Sequence, residues 1–327
     1  MPEPKVDVTA DVGGAPELPS LTPITTAQPV DLVRAEGGVP LTGAAARRGK
    51  LGVMGILSIS WLVLIVALAL LAPVLPIEDP NKIIASIARQ PPGTDGHILG
   101  GDVLGRDMLS RLIWGARASL LIGTLSVLLG LVLGGLLGLV AGYFRGRWDN
   151  ILTGGFDILL SFPQLILALT LVTVFASGAG TTYGVRMSVL ILALGVVSIP
   201  VLGRITRANT LSWCQREFVL AARALGAKQR EIMFKEVLPN VLPAMFSIAL
   251  LGVAVVIVAE GGLSLLGVGT PLPTPSWGNI IAEGRAELRN APHIVIEPTI
   301  VIFLTVFALN YLGDVVRARF DVRESAL

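Results

Sequence analysis

The sequence predicts an all-α polytopic membrane protein with six transmembrane helices, and three observations carry that expectation. The 327 residues are 53% hydrophobic and only 15% charged, with a mean hydropathy of +0.76, whereas a soluble domain carries about a quarter charged residues. The apolar residues fall in runs that reach the roughly 20 residues needed to cross a hydrocarbon core. None of these runs alternates polar with apolar, as a half-buried strand would. Aromatic residues make up only 6% of the chain. The apolar mass is therefore Leu, Val, Ile, Ala and Gly, which suits helices that pack closely within a bilayer.

Residues 1 to about 45 are rich in Pro, Ala, Thr, Gly and Asp and contain no apolar run. Such a segment cannot bury enough surface to offset its ordering entropy, so residues 1–48 read as a disordered cytoplasmic tail. The first span follows within 49–75, from the uncharged run Leu51 to Leu75, and residues 76–115 form an external loop. Residues 116–316 hold the other five spans. These cover Ala118 to Phe144, Asp157 through Pro163 to Ala176, Arg186 to Gly203, Val237 to Ala259, and Val295 to Gly313. A cytoplasmic tail occupies 317–327. Pro163, Pro200 and Pro243 interrupt the third, fourth and fifth spans, and each removes a backbone hydrogen bond and permits a kink.

Orientation follows from Lys and Arg in the short loops. Arg47, Arg48 and Lys50 precede the first span, and Arg145 and Arg147 separate the second from the third. Arg204, Arg207, Arg216, Arg223, Lys228, Arg230 and Lys235 fill the loop after the fourth, and Arg317, Arg319 and Arg323 follow the last. With six crossings these sites share one side, which makes both termini cytoplasmic. The external loop mixes Lys82, Arg89, Arg106 and Arg111 with Asp95, Asp102 and Asp107, and is long enough to fold. The net charge of +2 gives no reason to expect nucleic acid as a partner.

Within the second span, Gly130, Gly134, Gly138 and Gly142 recur every four residues. That spacing stacks them on one helix face, where a second backbone can approach. Fixed packing and a sliding or pore-lining seam both fit the pattern. Asp157 and Glu260 read as the acids within the spans, each near an end. An acid there caps or orients a helix, or serves a gate or translocation path; Glu260 and, in the segment after it, Trp277 are candidates for the latter. No catalytic set is visible, and no GxxxxGK[ST] loop is present to hold nucleotide phosphates. With one cysteine, Cys214, and two well-separated histidines, His97 and His293, no metal site of standard spacing is expected.

The loop 213–240 is too long for a simple connector. Glu217 to Leu225 is rich in helix-forming Ala and Leu, Gly226 breaks the helix in the manner of a C-terminal glycine, and Ala227 to Val237 reads as a second helix ended by Leu238-Pro239-Asn240. Apolar Ile232 and Phe234 stand among Lys228, Arg230, Glu231 and Lys235. A protein-docking surface and a self-packed amphipathic loop both fit this pattern.

The stretch REFVLAARALGAKQREIMFKEVLPN, Arg216 to Asn240, resembles the "EAA" loop of ABC importer permeases, with matches at Ala221, Ala222, Gly226, Leu238 and Pro239. It departs at Leu220, where that family has Glu, and at Glu236, where an apolar residue or His is usual. Glu217 is typical of the peptide-permease branch. His97 to Arg117 looks like the "LGTDxLGRDxLSRLIxGAR" signature of oligopeptide, dipeptide and nickel permeases, with Gly101 where Thr is common. Glu260 to Gly269 and Pro271 to Arg285 are similar to the same branch's external segment. The resemblance covers roughly residues 50 to 320 and is nearest the "C"-type chain of the paired peptide permeases.

The resemblance implies a type I ABC importer permease fold in a bacterial inner membrane, importing dipeptides or oligopeptides. It implies a second homologous permease, two ABC ATPase subunits and an extracytoplasmic substrate-binding protein as partners. ATP and Mg would be bound by the ATPases, with no cofactor in this chain and no enzymatic activity of its own. Glu217, Ala221, Ala222, Arg223, Gly226, Leu238 and Pro239 are implied as the ATPase-coupling loop. The alternatives are a nickel or other small-solute importer and, from a different class, a self-sufficient secondary transporter.

Overall fold

The computed structural model describes residues 52–176 and 182–324, with side chains given through Arg319. The tail expected over residues 1–48 lies outside the described residues.

Ten α-helices are described: α1 Val53–Leu71, α2 Met108–Phe144, α3 Gly146–Ser161, α4 Gln164–Ala176, α5 Tyr183–Trp213, α6 Glu217–Ala224, α7 Gln229–Glu231, α8 Leu238–Leu265, α9 Trp277–Gly284 and α10 His293–Glu324. No strand occurs among the described residues, only two isolated bridges, both between residues of the 94–107 stretch. Lipid offers no partner for backbone N–H and C=O groups, so a spanning segment must satisfy them internally, and a helix does so. Five of the helices are long and apolar enough to cross a membrane, and the bent pair α3–α4 raises the number to six if counted as one span. Val53, Leu57, Val63 and Leu70 of α1 are exposed, as a lipid-facing surface would be.

Several expected boundaries shift, and α5 and α8 run on past the expected Gly203 and Ala259 to Trp213 and Leu265, so Arg204 and Arg207 lie in α5 and not in the loop after it. The second span starts at Met108, inside the stretch read as external loop, because Asp107 caps it by accepting from the Ser110 backbone N–H at 2.7 Å. The third span does not run straight through Pro163: α3 and α4 meet at 86°. Pro163 cannot donate the helix bond required at that position, and its carbonyl instead accepts from Leu167 to open α4. Asp157 consequently sits on the exposed part of α3, paired with Arg204. Pro200 and Pro243, by contrast, lie inside unbroken helices. Finally, α10 continues to Glu324, so the tail expected from 317 is helical to that point.

Three buried clusters stack along the bundle. At one end, Ile65 and Ala69 of α1 meet Met108 and Leu112 of α2, Trp277 of α9 and Ile294 of α10. In the middle, Ile122 and Val127 of α2 pack with α4, α5 and α8. At the other end, Leu139 and Tyr143 of α2 meet Cys214, Val219, Ile232 and Val237. The ends of α2 and α5 and the start of α8 thus share one end of the molecule, hereafter the knuckle end; the opposite end is the cap.

Among the described residues the α2–α5 seam is the most extensive helix pairing, and the four glycines lie along it. A Cβ built on Gly130 would stand 2.7 Å from Ser198 Cβ, one on Gly134 3.1 Å from Gly203 N, one on Gly138 3.0 Å from Thr206 Cβ, and one on Gly142 2.7 Å from Thr210 Cβ. Backbone meets backbone here because no side chain intervenes, as in helix pairs built on small residues.

Candidate functional site

At the knuckle end, α6 closes on Gly226. Gly226 N–H donates to Arg223 O at 3.0 Å and Ala227 N–H to Ala222 O at 3.1 Å. This is the pair of bonds of a Schellman cap, which requires a left-handed residue after the helix. Gly226 supplies it with φ +81°, and a Cβ there would meet nothing within 4 Å. Glycine is needed at this position for its conformation, not for space.

The chain becomes helical again at Gln229, but the second short helix does not end at Leu238-Pro239-Asn240. Residues Ile232–Val237 form a π-helical turn that leads directly into α8, and Pro239, which cannot donate a backbone bond, follows immediately on that widened turn. Gln229 to Leu265 is in effect one continuous rod. The short helices are seated by Val219, Ile232 and Val237, each 1% exposed or less, against Leu139 and Tyr143 of α2. Ala222 is half-buried against the same cluster, while Glu217, Ala221 and Arg223 are exposed. Leu225, beside Gly226, is 88% exposed, the highest value among the exposed large apolar residues. In sequence it falls at the end of a predicted helix, and the signal that marks it is a leucine next to a helix-ending glycine in a basic loop. Cys214 is buried beneath the knuckle, and burial pushes its thiol up despite the nearby Arg223 and Arg145, which disfavours the reactive thiolate.

At the cap end the segment 76–107 is folded. Arg106 Nε donates to Asp102 at 2.5 Å, and both Arg106 and Arg111 reach Glu283 of α9, at 2.5 and 2.8 Å; Arg111 also pairs with Asp102. Burial pushes the Asp102 carboxyl up, but Arg111 and Arg106 outweigh it and hold the group below its ordinary range. His97 Nδ1 lies 2.7 Å from Asp107, and His293 Nε2 lies 3.1 Å from the Gly101 carbonyl, so both histidines serve the cap's own packing. Among the described residues no three His, Cys, Asp or Glu side chains converge as metal ligands.

Glu260 is 1% exposed, and its Oε1 accepts from the hydroxyls of Ser264 at 2.9 Å, Thr270 at 2.9 Å and Ser276 at 2.8 Å. One carboxylate thereby gathers the end of α8, the following loop and the N-cap of α9. Trp277, fully buried, donates its indole N–H to Leu112 O at 3.0 Å and so ties α9 to α2. Glu297 is a further acid within a span, in α10, and its Oε2 is buried without a hydrogen-bond partner among the described residues. The knuckle residues and the Glu260–Trp277 pair occupy opposite ends, joined by the continuous helix from Gln229 to Leu265.

Two expected outcomes concern the cap. Asp102→Asn leaves two buried guanidiniums sharing one carboxylate, and loss of one partner of a buried pair costs about 3–5 kcal/mol, read as a fall in thermal midpoint in detergent. In the native chain the carboxylate's folded pKa is depressed. Its contribution is therefore fully present above the unfolded value near about 4 and is lost as pH falls through the lower folded value. The midpoint should drop on acidification below about pH 4 in the native protein, and Asp102→Asn should flatten that drop.

Residues 134–325 match the family described as binding-protein-dependent transport system inner membrane component. The chain is a member of this permease family. It is 38% identical over 225 residues to the glutathione transport system permease protein GsiD of Escherichia coli O6:K15:H31 (strain 536), covering 69% of this chain and 72% of that one. The GsiD of Shigella boydii serotype 4 (strain Sb227) matches to the same extent. Two inward-facing crystal forms of the MetNI methionine ABC transporter share the fold at 21% identity, covering 64% of this chain and 97% of theirs, with TM-scores of 0.55 and 0.53. The permease is accordingly a multi-pass inner-membrane subunit of an ABC importer, a translocation component and not an enzyme.

Proposed function

We propose that the permease imports peptides, paired with a second homologous permease, driven by two ATPase subunits that hold ATP and Mg, and fed by an external binding protein. The supporting observation for the coupling role is the knuckle: an exposed Leu225 and a left-handed Gly226 at the tip of a helix pair whose second member runs without interruption into α8. Displacement of a tip on a continuous rod is transmitted along it, because packed elements shift as units between discrete arrangements. The far end of that rod carries Glu260 and its three hydroxyl partners, so movement at the knuckle would reach the cap and re-orient the path. ATP drives this only by favouring one of the two arrangements over the other. The positive residues near the knuckle support a cytoplasmic location for that end and for both termini.

A peptide cargo is supported by the identity to permeases named for glutathione, itself a small peptide. Reconstitution with the ATPase and binding-protein partners tests the reading: the permease should support ATP-dependent uptake of di- and tripeptides that excess nickel does not compete. Uptake blocked by nickel, or uptake that proceeds without any ATPase, would overturn it.

A further inference from the structure

A cleft of about 610 Å³ opens at the cap end. Its walls include Val172 of α4, Arg186 near the start of α5, Thr270 of the loop after α8, and Asn279, Ala282 and Glu283 of α9. The volume falls in the range of small-molecule sites, roughly 300–1,000 Å³. Two of its polar groups are set up for a ligand. Glu283 is held by Arg106 and Arg111 through Oε2 alone, its side chain is 25% exposed, and its Oε1 has no partner among the described residues. Arg186 is exposed and makes no side-chain hydrogen bond or ion pair among the described residues. The Glu260 hydroxyl bonds shape a third wall by fixing Ser264 and Thr270, while Asn279 is pinned by its bond to the Thr270 carbonyl at 2.7 Å.

Opposite charges on separate walls favour a small solute that carries both charges itself. A neutral solute would leave Arg186 without a charged partner and Oε1 of Glu283 without a donor, and a divalent cation would be opposed by Arg186 and by the lining's other cation, Arg285, which donates to the Leu265 carbonyl at 2.6 Å. A free peptide has the required chemistry, with an α-ammonium at one end, an α-carboxylate at the other and amides between. Arginine binds carboxylates through paired N–H donors, and the immobilised Glu283 loses little freedom on accepting an ammonium. We propose that this cleft is a peptide subsite of the permease, in which Arg186 takes the substrate's α-carboxylate and Oε1 of Glu283 its α-ammonium. The proposal rests on the peptide-importer reading above and names the residues that reading lacks.

The test uses the full transporter in nanodiscs with Ala282→Cys as a reporter on the cleft wall, labelled by a membrane-impermeant maleimide. The native Cys214 is buried at the other end and gives little background. Tri-alanine should protect the reporter. Its C-terminal amide and its N-acetyl form should each need about tenfold more peptide, the effect of losing one charge-assisted bond. Arg186→Gln in the same background should erase the difference between acid and amide while keeping the N-acetyl penalty, a pattern that general loosening of the cap would not produce. Equal protection by acid and amide would overturn the proposal. So would absence of protection, or a reporter that reacts only once the permease is stripped of its partner chains. Uptake of tri-alanine is measured on the same preparation: uptake without protection sinks the subsite and leaves the importer reading intact. Protection without uptake keeps the cleft's ligand class and overturns the importer reading.

Discussion

Leu225→Arg and Gly226→Pro should each abolish ATP-driven uptake while the permease remains folded in the membrane. Leu225 is almost wholly exposed, so placing a charge there breaks nothing within the chain and alters only what a partner would meet. Gly226→Pro acts through the backbone. Proline fixes φ near −65°, whereas Gly226 sits at φ +81° and its N–H bonds to Arg223 O. The cap must therefore open and α6 must lose its orientation. Gly226→Ala is the graded control: the site has space for the methyl group, and the left-handed conformation alone costs about 1–2 kcal/mol. Uptake should be reduced there and not lost. Ala222→Arg should also abolish uptake, by unseating α6 from the cluster of Leu139, Tyr143 and Ile232 it packs against. Vesicle uptake normalised to membrane-inserted permease checks all four variants.

Gly138→Leu should be severely damaging to the fold. A Cβ at Gly138 would already stand 3.0 Å from both Gly203 C and Thr206 Cβ, and backbone cannot yield as a flexible side chain does. Forcing volume into a tight seam costs about 1–3 kcal/mol, occasionally more, and the extra branched carbons of Leu have no space to enter. α2 and α5 would have to separate along the glycine line, exposing helix faces that were dry. Gly155→Ala on α3 gives the opposite sign. Nothing lies within 4 Å of a Cβ there, so replacing a helical glycine should stabilise by about 0.5–1 kcal/mol. Thermal unfolding of the isolated permease in detergent should place the two variants on opposite sides of the native midpoint.

The contrast between these glycines explains what the sequence reveals and what it conceals. Apolar runs set the spanning helices because lipid leaves the backbone no alternative, and the four-residue glycine period is visible because helix geometry projects it onto one face. Gly226 is legible as a break because a left-handed cap has few other solutions. Local signals could not decide which proline breaks its helix. Pro163 does, while Pro200 and Pro243 sit in unbroken helices, and all three look alike in sequence. The continuity of α7 with α8 was hidden for the same reason, since Leu238-Pro239-Asn240 reads as a stop, whereas the chain passes Pro239 by widening to a π-helical turn just before it. The cap network was not legible. Asp102, Arg106 and Arg111 lie close in the chain, but Glu283 comes from more than 170 residues away. Glu260 was visible as an acid, but not as the acceptor of three hydroxyls brought in by the loop that follows it.

The account depends on the knuckle being the surface on which the ATPase acts. Leu225→Cys, in a chain whose native Cys214 is buried, allows a direct measurement: the variant is assembled with its ATPase partners and treated with a short bifunctional thiol–amine cross-linker. The expected result is a permease–ATPase adduct whose yield changes between nucleotide-free and ATP-bound states, as a contact that transmits the stroke must. An ATPase that assembles with the permease but gives no adduct through Leu225→Cys, in either nucleotide state, would contradict the assignment of this loop.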